Sequence, residues 1–259
     1  MNIDKLLIIP DARDMRNYIE LSREYGVGFE YNDFFWPASL DTKGFIDDRI
    51  QMYRSVDGLP EYSTMHGAFL DVTIFSDDPE IIRVSDYRVE QSLSIAERMG
   101  CDGVVFHTNY IANFRLESYR ENWLKRNETY WKDKCSMHPG INIYVENMFD
   151  DEPDLLAGLG GAMKDIKNFG ICFDYAHAHV FGDETRIEDW VQKLAPFVRH
   201  IHINDNDFKQ DSHLALGDGL IDWEGFRYHY LNYMSSASVL IEVSTYDKAL
   251  RSLKYIDRL

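Results

Sequence analysis

Short apolar runs alternate with longer segments of helical periodicity along the whole chain. Each apolar run ends in a polar turn, and the next segment carries apolar residues three and four positions apart. This alternation is typical of repeated strand and helix units around a parallel sheet. It predicts eight strands, at residues 6–9, 27–31, 62–66, 103–107, 141–145, 170–173, 198–203 and 239–243.

The intervening segments predict eight helices. The clearest is Pro79–Met99, which has Asp77 or Asp78 as its N-cap and Gly100 directly after its last residue. The other predicted helices cover residues 15–25, 45–56, 116–135, 153–167, 187–194, 223–234 and 246–256. Eight strands that alternate with eight helices predict an α/β fold, a single (β/α)8 TIM barrel over residues 1–259.

Imidazole and carboxylate groups stand at or just beyond the carboxyl ends of the predicted strands. In a TIM barrel these ends meet at one mouth, where catalytic residues lie. Ionised carboxylates gathered there would repel one another, and bound cations relieve that repulsion. The candidates are Glu30, His66, His107, Glu146, Asp174, His177, His202, Asp211, His213 and Glu242.

The densest part of this pattern is the stretch from Val198 to Trp223. It places His202 at the end of an apolar run, followed by a loop with Asp211 and His213 and then by the start of a helix. A mixture of imidazole and carboxylate ligands without thiolate suits Zn, Mn, Co or Fe(II). We expect one to three divalent cations per chain.

Composition limits the partners and the compartment. The chain has 259 residues, and its 27 basic and 44 acidic residues give a net charge of −17, which disfavours binding to nucleic acid or anionic membranes. Its apolar runs are too short for a secretory signal or a membrane span. The three cysteines are odd in number and lack C-x-x-C spacing, which predicts buried free thiols and a cytoplasmic location. A small-molecule substrate is expected, and a homo-oligomer is left open.

The order of the motifs resembles the xylose isomerase-like TIM-barrel superfamily, which contains sugar isomerases and epimerases as well as the endonuclease IV type of apurinic endonuclease. From the third predicted strand to the eighth, the motifs are H-G at 66, H-T at 107, E-N at 146, D-Y-A-H at 174, H-I-N-D at 202, D-S-H-L-A-L-G-D-G-L-I-D-W at 211 and Glu242. The resemblance implies a metal site formed by Glu146, Asp174, His202 and Glu242. The endonuclease branch holds a trinuclear zinc cluster with further ligands, which match His66, His107, His177, Asp211 and His213.

Sugar or sugar phosphate isomerisation is the function that the sequence ranks first. In this mechanism one metal stabilises an enediolate, Glu146 and Glu242 act as acid and base, and His177 orients a substrate oxygen. Phe34, Phe35, Trp36 and Trp223 are candidates for an apolar wall beside the sugar. The predicted substrate-binding residues are Glu30, Trp36, Asn109 and Trp223.

Metal-assisted phosphodiester hydrolysis is the alternative, with Glu146 bridging two of three cations. The acidic charge and the first strand, L-L-I-I-P-D, depart from the pattern of the endonuclease branch. Ketose 3-epimerases of the superfamily have an arginine where this chain has Phe208 and Lys209, so their substrate is not carried over. A barrel that binds a ligand or a single metal without turnover is the third interpretation.

Overall fold

The computed structural model describes residues 1, 3–70, 72–182 and 185–259. Its centre is a closed barrel of eight parallel strands in chain order, in which β8 pairs with β1. The predicted TIM barrel is therefore confirmed. The strands are β1 (Leu6–Ile8), β2 (Gly28–Tyr31), β3 (Ser63–His66), β4 (Gly103–His107), β5 (Asn142–Glu146), β6 (Phe169–Asp174), β7 (Val198–Ile203) and β8 (Ser238–Ile241).

Helices surround the barrel. They are α1 (Met15–Tyr25), α2 (Pro37–Leu40), α3 (Phe45–Arg54), α4 (Pro79–Met99), α5 (Glu117–Met137), α6 (Asp154–Met163), α7 (Tyr175–Phe181), α8 (Ile187–Leu194), α9 (Trp223–His229) and α10 (Tyr246–Ile256). The ends of α4 follow from its sequence signals, because Asp78 accepts a hydrogen bond from the amide of Glu80 at 2.8 Å and Gly100 adopts a left-handed conformation with φ of 76°.

The structure differs from the predicted elements in four places. Helices α2 and α7 were not predicted, because four and seven residues are too few to show a helical period. Helix α6 ends at Met163, several residues before the predicted end in a segment rich in glycine. The predicted helix 223–234 divides into α9 and a π-helical turn, Tyr230–Met234, which the hydroxyl of Tyr230 ties to the carbonyl of Ala237 at 3.2 Å.

The barrel interior is separate from the main hydrophobic core. Val105, Tyr144 and Cys172 form a small apolar cluster of their own, apart from the large cluster that includes the helices. Helix α5 packs against the outside of the barrel through Trp123, which is buried within the large cluster. The indole of Trp123 donates to the carbonyl of Thr108 at 3.1 Å. All three cysteines are buried and free, as predicted.

Within the described residues, none of the helices combines the length and the apolar character that crossing a membrane requires.

Candidate metal centre

The alternation of side chains along each strand explains why the candidate ligands converge. In five strands, a buried ligand candidate lies two positions after another buried residue, so both project to the same side of the sheet. The pairs are Thr64 and His66, Val105 and His107, Tyr144 and Glu146, Cys172 and Asp174, and His200 and His202. Glu242 has the same spacing from Leu240, but it lies just beyond β8 and is only partly buried. The strand register then places ligand candidates on neighbouring strands at the same height in the barrel. His107 pairs with Glu146, and Asp174 pairs with His202.

Among the described residues, four groups of side chains have ligand atoms close enough together to hold a metal ion, and three of these groups consist of predicted ligands. The first of the three consists of His66, His107 and Glu146, all of them buried. The Nε2 atoms of the two imidazoles lie 3.1 Å apart. Oε2 of Glu146 lies 3.6 Å from Nε2 of His66 and 3.5 Å from Nε2 of His107. Three potential ligand atoms therefore face a common point.

The second group consists of Glu146, Asp174, His202 and Glu242. Nδ1 of His202 lies 3.2 Å from Oε1 of Glu146 and 3.5 Å from Oε2 of Glu242. Glu146 thus presents one carboxylate oxygen to the first group and the other oxygen to the second. That geometry is suited to a carboxylate that bridges two cations.

The third group consists of His177, Asp211 and His213. Oδ2 of Asp211 lies 3.3 Å from Nε2 of His177 and 3.0 Å from Nε2 of His213. Asp211 and His213 come from the loop between β7 and α9, whereas His177 is in the first turn of α7. The structure therefore brings together all nine predicted metal-ligating residues in three adjacent groups.

These separations fit bound metal ions. Bonds of about 2.0–2.2 Å in a tetrahedral arrangement place ligand atoms roughly 3.3–3.6 Å apart, close to the distances found in all three groups. Several buried polar atoms of these groups have no hydrogen-bond partner within the described chain, as expected of atoms that bind a cation. Among them are Oε2 of Glu146, Oδ2 of Asp174, Nδ1 of His202, Oδ1 of Asp211 and Oε2 of Glu242. Nδ1 of His107 and Nε2 of His202 also lack a hydrogen-bond partner there.

Main-chain carbonyls fix the orientation of three of the imidazoles. Nδ1 of His66 lies 3.0 Å from the carbonyl of Gly67, and Nδ1 of His177 lies 2.9 Å from the carbonyl of Asn147. Nδ1 of His213 lies 2.9 Å from the carbonyl of Glu242. A carbonyl only accepts, so Nδ1 donates to it, and Nε2 is the nitrogen that is left to face a metal ion.

The pKa values of Asp174 and His177 show how the buried charges of the cluster balance when protonated imidazoles are its only cations. Burial, with the nearby carboxylates of Glu242 and Glu146, raises the pKa of Asp174 well above its ordinary value although His177 opposes this. Burial would lower the pKa of His177, but Asp174, Asp211 and Glu146 raise it well above 6.5. Protons thus compensate the carboxylates, and a metal ion would replace those protons.

Two local structures hold the third group in place. Asp174 ends β6 and caps α7, since its Oδ1 accepts from the amide of His177 at 2.6 Å. The D-Y-A-H motif is therefore a strand-to-helix junction, at which β6 ends and α7 begins. Asn147 braces this junction: it donates to the carbonyl of Asp174 and accepts from the Asp174 amide, both at 2.9 Å.

Asp205 organises the loop between β7 and α9. Its buried carboxylate accepts from the amide of Gly217 at 2.8 Å, from the amide of Ile221 at 3.2 Å and from the indole of Trp223 at 2.9 Å. Gly217 has φ of 86°, and a Cβ there would lie 2.5 Å from the ring of Tyr255. This framework folds the loop back over the mouth and carries Asp211 and His213.

The predicted substrate-binding residues have different surroundings. Trp36 is 56% exposed and lies 6.0 Å from the ring of Phe69. Asn109 has φ of 47°, and its amide donates to the carbonyls of Phe69 and Val72. Trp223 is buried and bound to Asp205, so it supports the loop and does not line the mouth. Phe34 is also buried, within the main core.

Glu30 does not lie at the strand exit. It pairs in register with Thr64, one layer below His66, and its side chain is completely buried. Sequence reasoning also assigned no role to Phe69, Asn147 or His200. For His200 the signal was present, because it precedes His202 by two positions and therefore projects to the same side of the strand.

Fold and site together define a TIM barrel whose mouth carries groups of imidazoles and carboxylates close enough together to hold a metal ion. The family description "Xylose isomerase-like TIM barrel" matches residues 20–256. The chain therefore belongs to this family, as the motifs predicted.

Individual proteins are similar to this chain in sequence or in fold. Protein MJ1311 of Methanocaldococcus jannaschii is 27% identical over 172 residues, which are 61% of this chain and 56% of that protein. The chain thus matches little more than half the length of this relative. The TTHB071 protein of Thermus thermophilus, solved after soaking with ZnCl2, has a TM-score of 0.70 and 24% identity, covering 99% of this chain and 97% of the other. A D-tagatose 3-epimerase-like protein has a TM-score of 0.72 and 19% identity, with 98% and 96% covered.

Proposed function

We propose that the protein is a metal-dependent phosphoester hydrolase that holds up to three divalent cations. The observation that carries this proposal is the set of three adjacent ligand groups, two of which share Glu146. A single-metal isomerase needs only the second group. The sequence ranked isomerisation first, but that function leaves the imidazoles of His66, His107 and His213 without a role in metal binding.

The reaction adds water to phosphorus, breaks the P–O ester bond and releases an alcohol that takes up one of the protons of the water. Bound divalent cations would supply Lewis acidity, which lowers the pKa of water and neutralises charge on the phosphate oxygens. Glu146, with one oxygen toward each of two groups, would hold neighbouring cations at a fixed separation. His177 and His213 would anchor the third position, with their rings fixed by the carbonyls of Asn147 and Glu242.

An aromatic cluster borders the site on the side of the first group. The ring of Phe69 lies 4.7 Å from that of His107, and the ring of Phe35 lies 6.0 Å from that of His66. These rings would exclude water from that side of the reacting ester. With a net charge of −17, the chain favours a small phosphate ester over a long nucleic acid, which needs many cationic contacts.

Sugar isomerisation is the second candidate, supported by the second group taken alone. Its two glutamates come from β5 and from just beyond β8, and they approach the same atom of His202, at 3.2 and 3.5 Å. Similarity to the D-tagatose 3-epimerase-like protein is a similarity of fold. This candidate predicts one metal ion per chain and deuterium exchange from solvent into a ketose.

Two variants separate these functions, because His107→Asn changes only the first group and His213→Asn changes only the third. We expect the wild type, purified without chelator, to contain close to three metal ions. Each variant should lose about one of them, and hydrolysis of bis(p-nitrophenyl) phosphate should fall at least about 100-fold. His138→Asn is the matched control, since His138 contacts Glu90 and Glu97 outside the barrel mouth.

The measurements are metal analysis, initial rates with the phosphodiester, and deuterium exchange into a panel of ketoses. One metal ion per chain, with exchange that survives both variants, would refute the hydrolase and support the isomerase. Full phosphodiester hydrolysis by both variants would also count against a three-cation site.

A further inference from the structure

A polar layer lies inside the barrel directly below the metal-binding groups. It contains Glu30 from β2, Thr64 from β3 and His200 from β7, none of which is exposed to solvent. A buried carboxylate is costly unless it is paired and hydrogen-bonded, and side chains of this kind are not required to fill a barrel. The layer therefore calls for a specific role.

Contacts from this layer lead to one metal-ligand candidate. Oε1 of Glu30 lies 3.3 Å from Nε2 of His202. The other oxygen of Glu30 accepts from the hydroxyl of Thr64 at 2.7 Å and lies 3.1 Å from Nε2 of His200. His200 is fixed in turn, since its Nδ1 lies 2.7 Å from the hydroxyl of Ser238. The carboxylate of Glu30 is thus held in place and directs one oxygen at His202.

His202 is oriented differently from the other imidazoles of the site. His66, His177 and His213 face main-chain carbonyls with Nδ1 and offer Nε2 to the metal. His202 faces Glu30 with Nε2, and its Nδ1 approaches the carboxylates of the second group. A carboxylate partner makes an imidazole a stronger metal ligand than a neutral carbonyl does, and it fixes the tautomer.

Cys172 offers no competing explanation for this arrangement. Its sulfur can approach the rings of His200 and His202 closely enough for a metal ion. Both rings already face Glu30, however, with Nε2 of His200 at 3.1 Å and Nε2 of His202 at 3.3 Å from its carboxylate oxygens. Glu30 is the anionic partner that His202 faces.

We propose that Glu30 is a positioning residue, which Thr64 and His200 hold so that it turns Nδ1 of His202 toward the metal ion of the second group. This inference rests on the proposed function only in that a cation binds there. It does not depend on which reaction follows. Glu30 was predicted to bind the substrate, and this inference gives it a different role, below the site.

The test is the variant Glu30→Gln, in which the side chain keeps its shape but loses its charge. Titration calorimetry of the metal-free variant with Zn²⁺ should show one class of site weakened by about 10- to 100-fold. The other sites should keep wild-type affinity. Substitution with Co²⁺ should change the visible absorption of the weakened site only.

Asp150→Asn is the matched control, because Asp150 is another buried carboxylate near the mouth but binds Thr108 and Met148 instead of an imidazole. Thr64→Val is a second test, since it removes the hydrogen bond that the Thr64 hydroxyl donates to Glu30 and leaves His202 unaltered. It should weaken the same site by a smaller factor, and it remains informative if Glu30→Gln does not fold.

Wild-type affinity at every site in both Glu30→Gln and Thr64→Val would overturn the inference. Equal weakening at all sites, shared with Asp150→Asn, would also overturn it, because that result indicates a general loss of structure. If the wild type binds the cations but hydrolyses no phosphoester, the proposed hydrolase fails, while the role of Glu30 is still decided by the calorimetry.

Discussion

Burial governs the titration of the Asp150 carboxyl group. It lies in the loop after β5 and accepts from the hydroxyl of Thr108 at 2.6 Å and from the amide of Met148 at 3.0 Å. Burial raises its pKa from 3.8 to about 6, although these hydrogen bonds oppose the change. The folded state therefore binds a proton at Asp150 more tightly than the unfolded state does.

This difference sets the direction of a pH effect. The contribution of Asp150 to the free energy of unfolding is full below pH 3.8, falls as the pH rises, and is lost above about 6. Asp150→Asn removes that dependence. Between pH 5 and pH 8 the variant should gain about 1–2 kcal/mol relative to the wild type, as measured by urea unfolding of the metal-free proteins. Parallel pH profiles for the two proteins would contradict the assignment.

The loop between β7 and α9 is the element that depends most on a single side chain. Asp205 accepts from two distant amides and an indole, and its backbone forms an antiparallel bridge with Leu214. The loop residue His213 has φ of 43°, which is unfavourable for a residue with a side chain. Asp205 therefore stabilises the conformation in which His213 meets Asp211.

Asp205→Ala should lower the free energy of unfolding by roughly 3 kcal/mol, because it leaves several buried donors without an acceptor. Asp207→Ala is the control: that carboxylate is exposed and bonds only to the nearby amides of Lys209 and Gln210. We expect its cost to be below about 1 kcal/mol. Equal urea midpoints for the two variants would show that Asp205 does not support the loop.

At the scale of the whole molecule, a cation bound at this site would link metal binding to stability. Glu146, Asp174 and Glu242 come from the ends of three different strands, and they converge as buried or largely buried carboxylates within one group. A cation that binds this group only in the folded state joins distant parts of the barrel. Stability should therefore depend on the metal concentration.

Removal of metal with a chelator should lower the thermal midpoint, and Zn²⁺ or Mn²⁺ should restore it. At a metal concentration roughly 1,000 times the dissociation constant, one site adds about 4 kcal/mol to the free energy of unfolding. Calorimetric scans of the treated and reconstituted protein measure the change. The His138→Asn variant should respond like the wild type, whereas an unchanged midpoint after chelation would indicate that the groups hold no metal.

The sequence by itself determined the eight strands, most of the helices and which side chains could act as ligands, because apolar runs, caps and the alternation along a strand are local properties. It also placed His202 at the end of an apolar run, where the seventh strand was predicted. Closure of the barrel and strand register decided how the ligands divide into three groups and placed Glu30 below the mouth. Such contacts join distant parts of the chain, as between His200 and Glu30, which are 170 positions apart, and no local pattern specifies them.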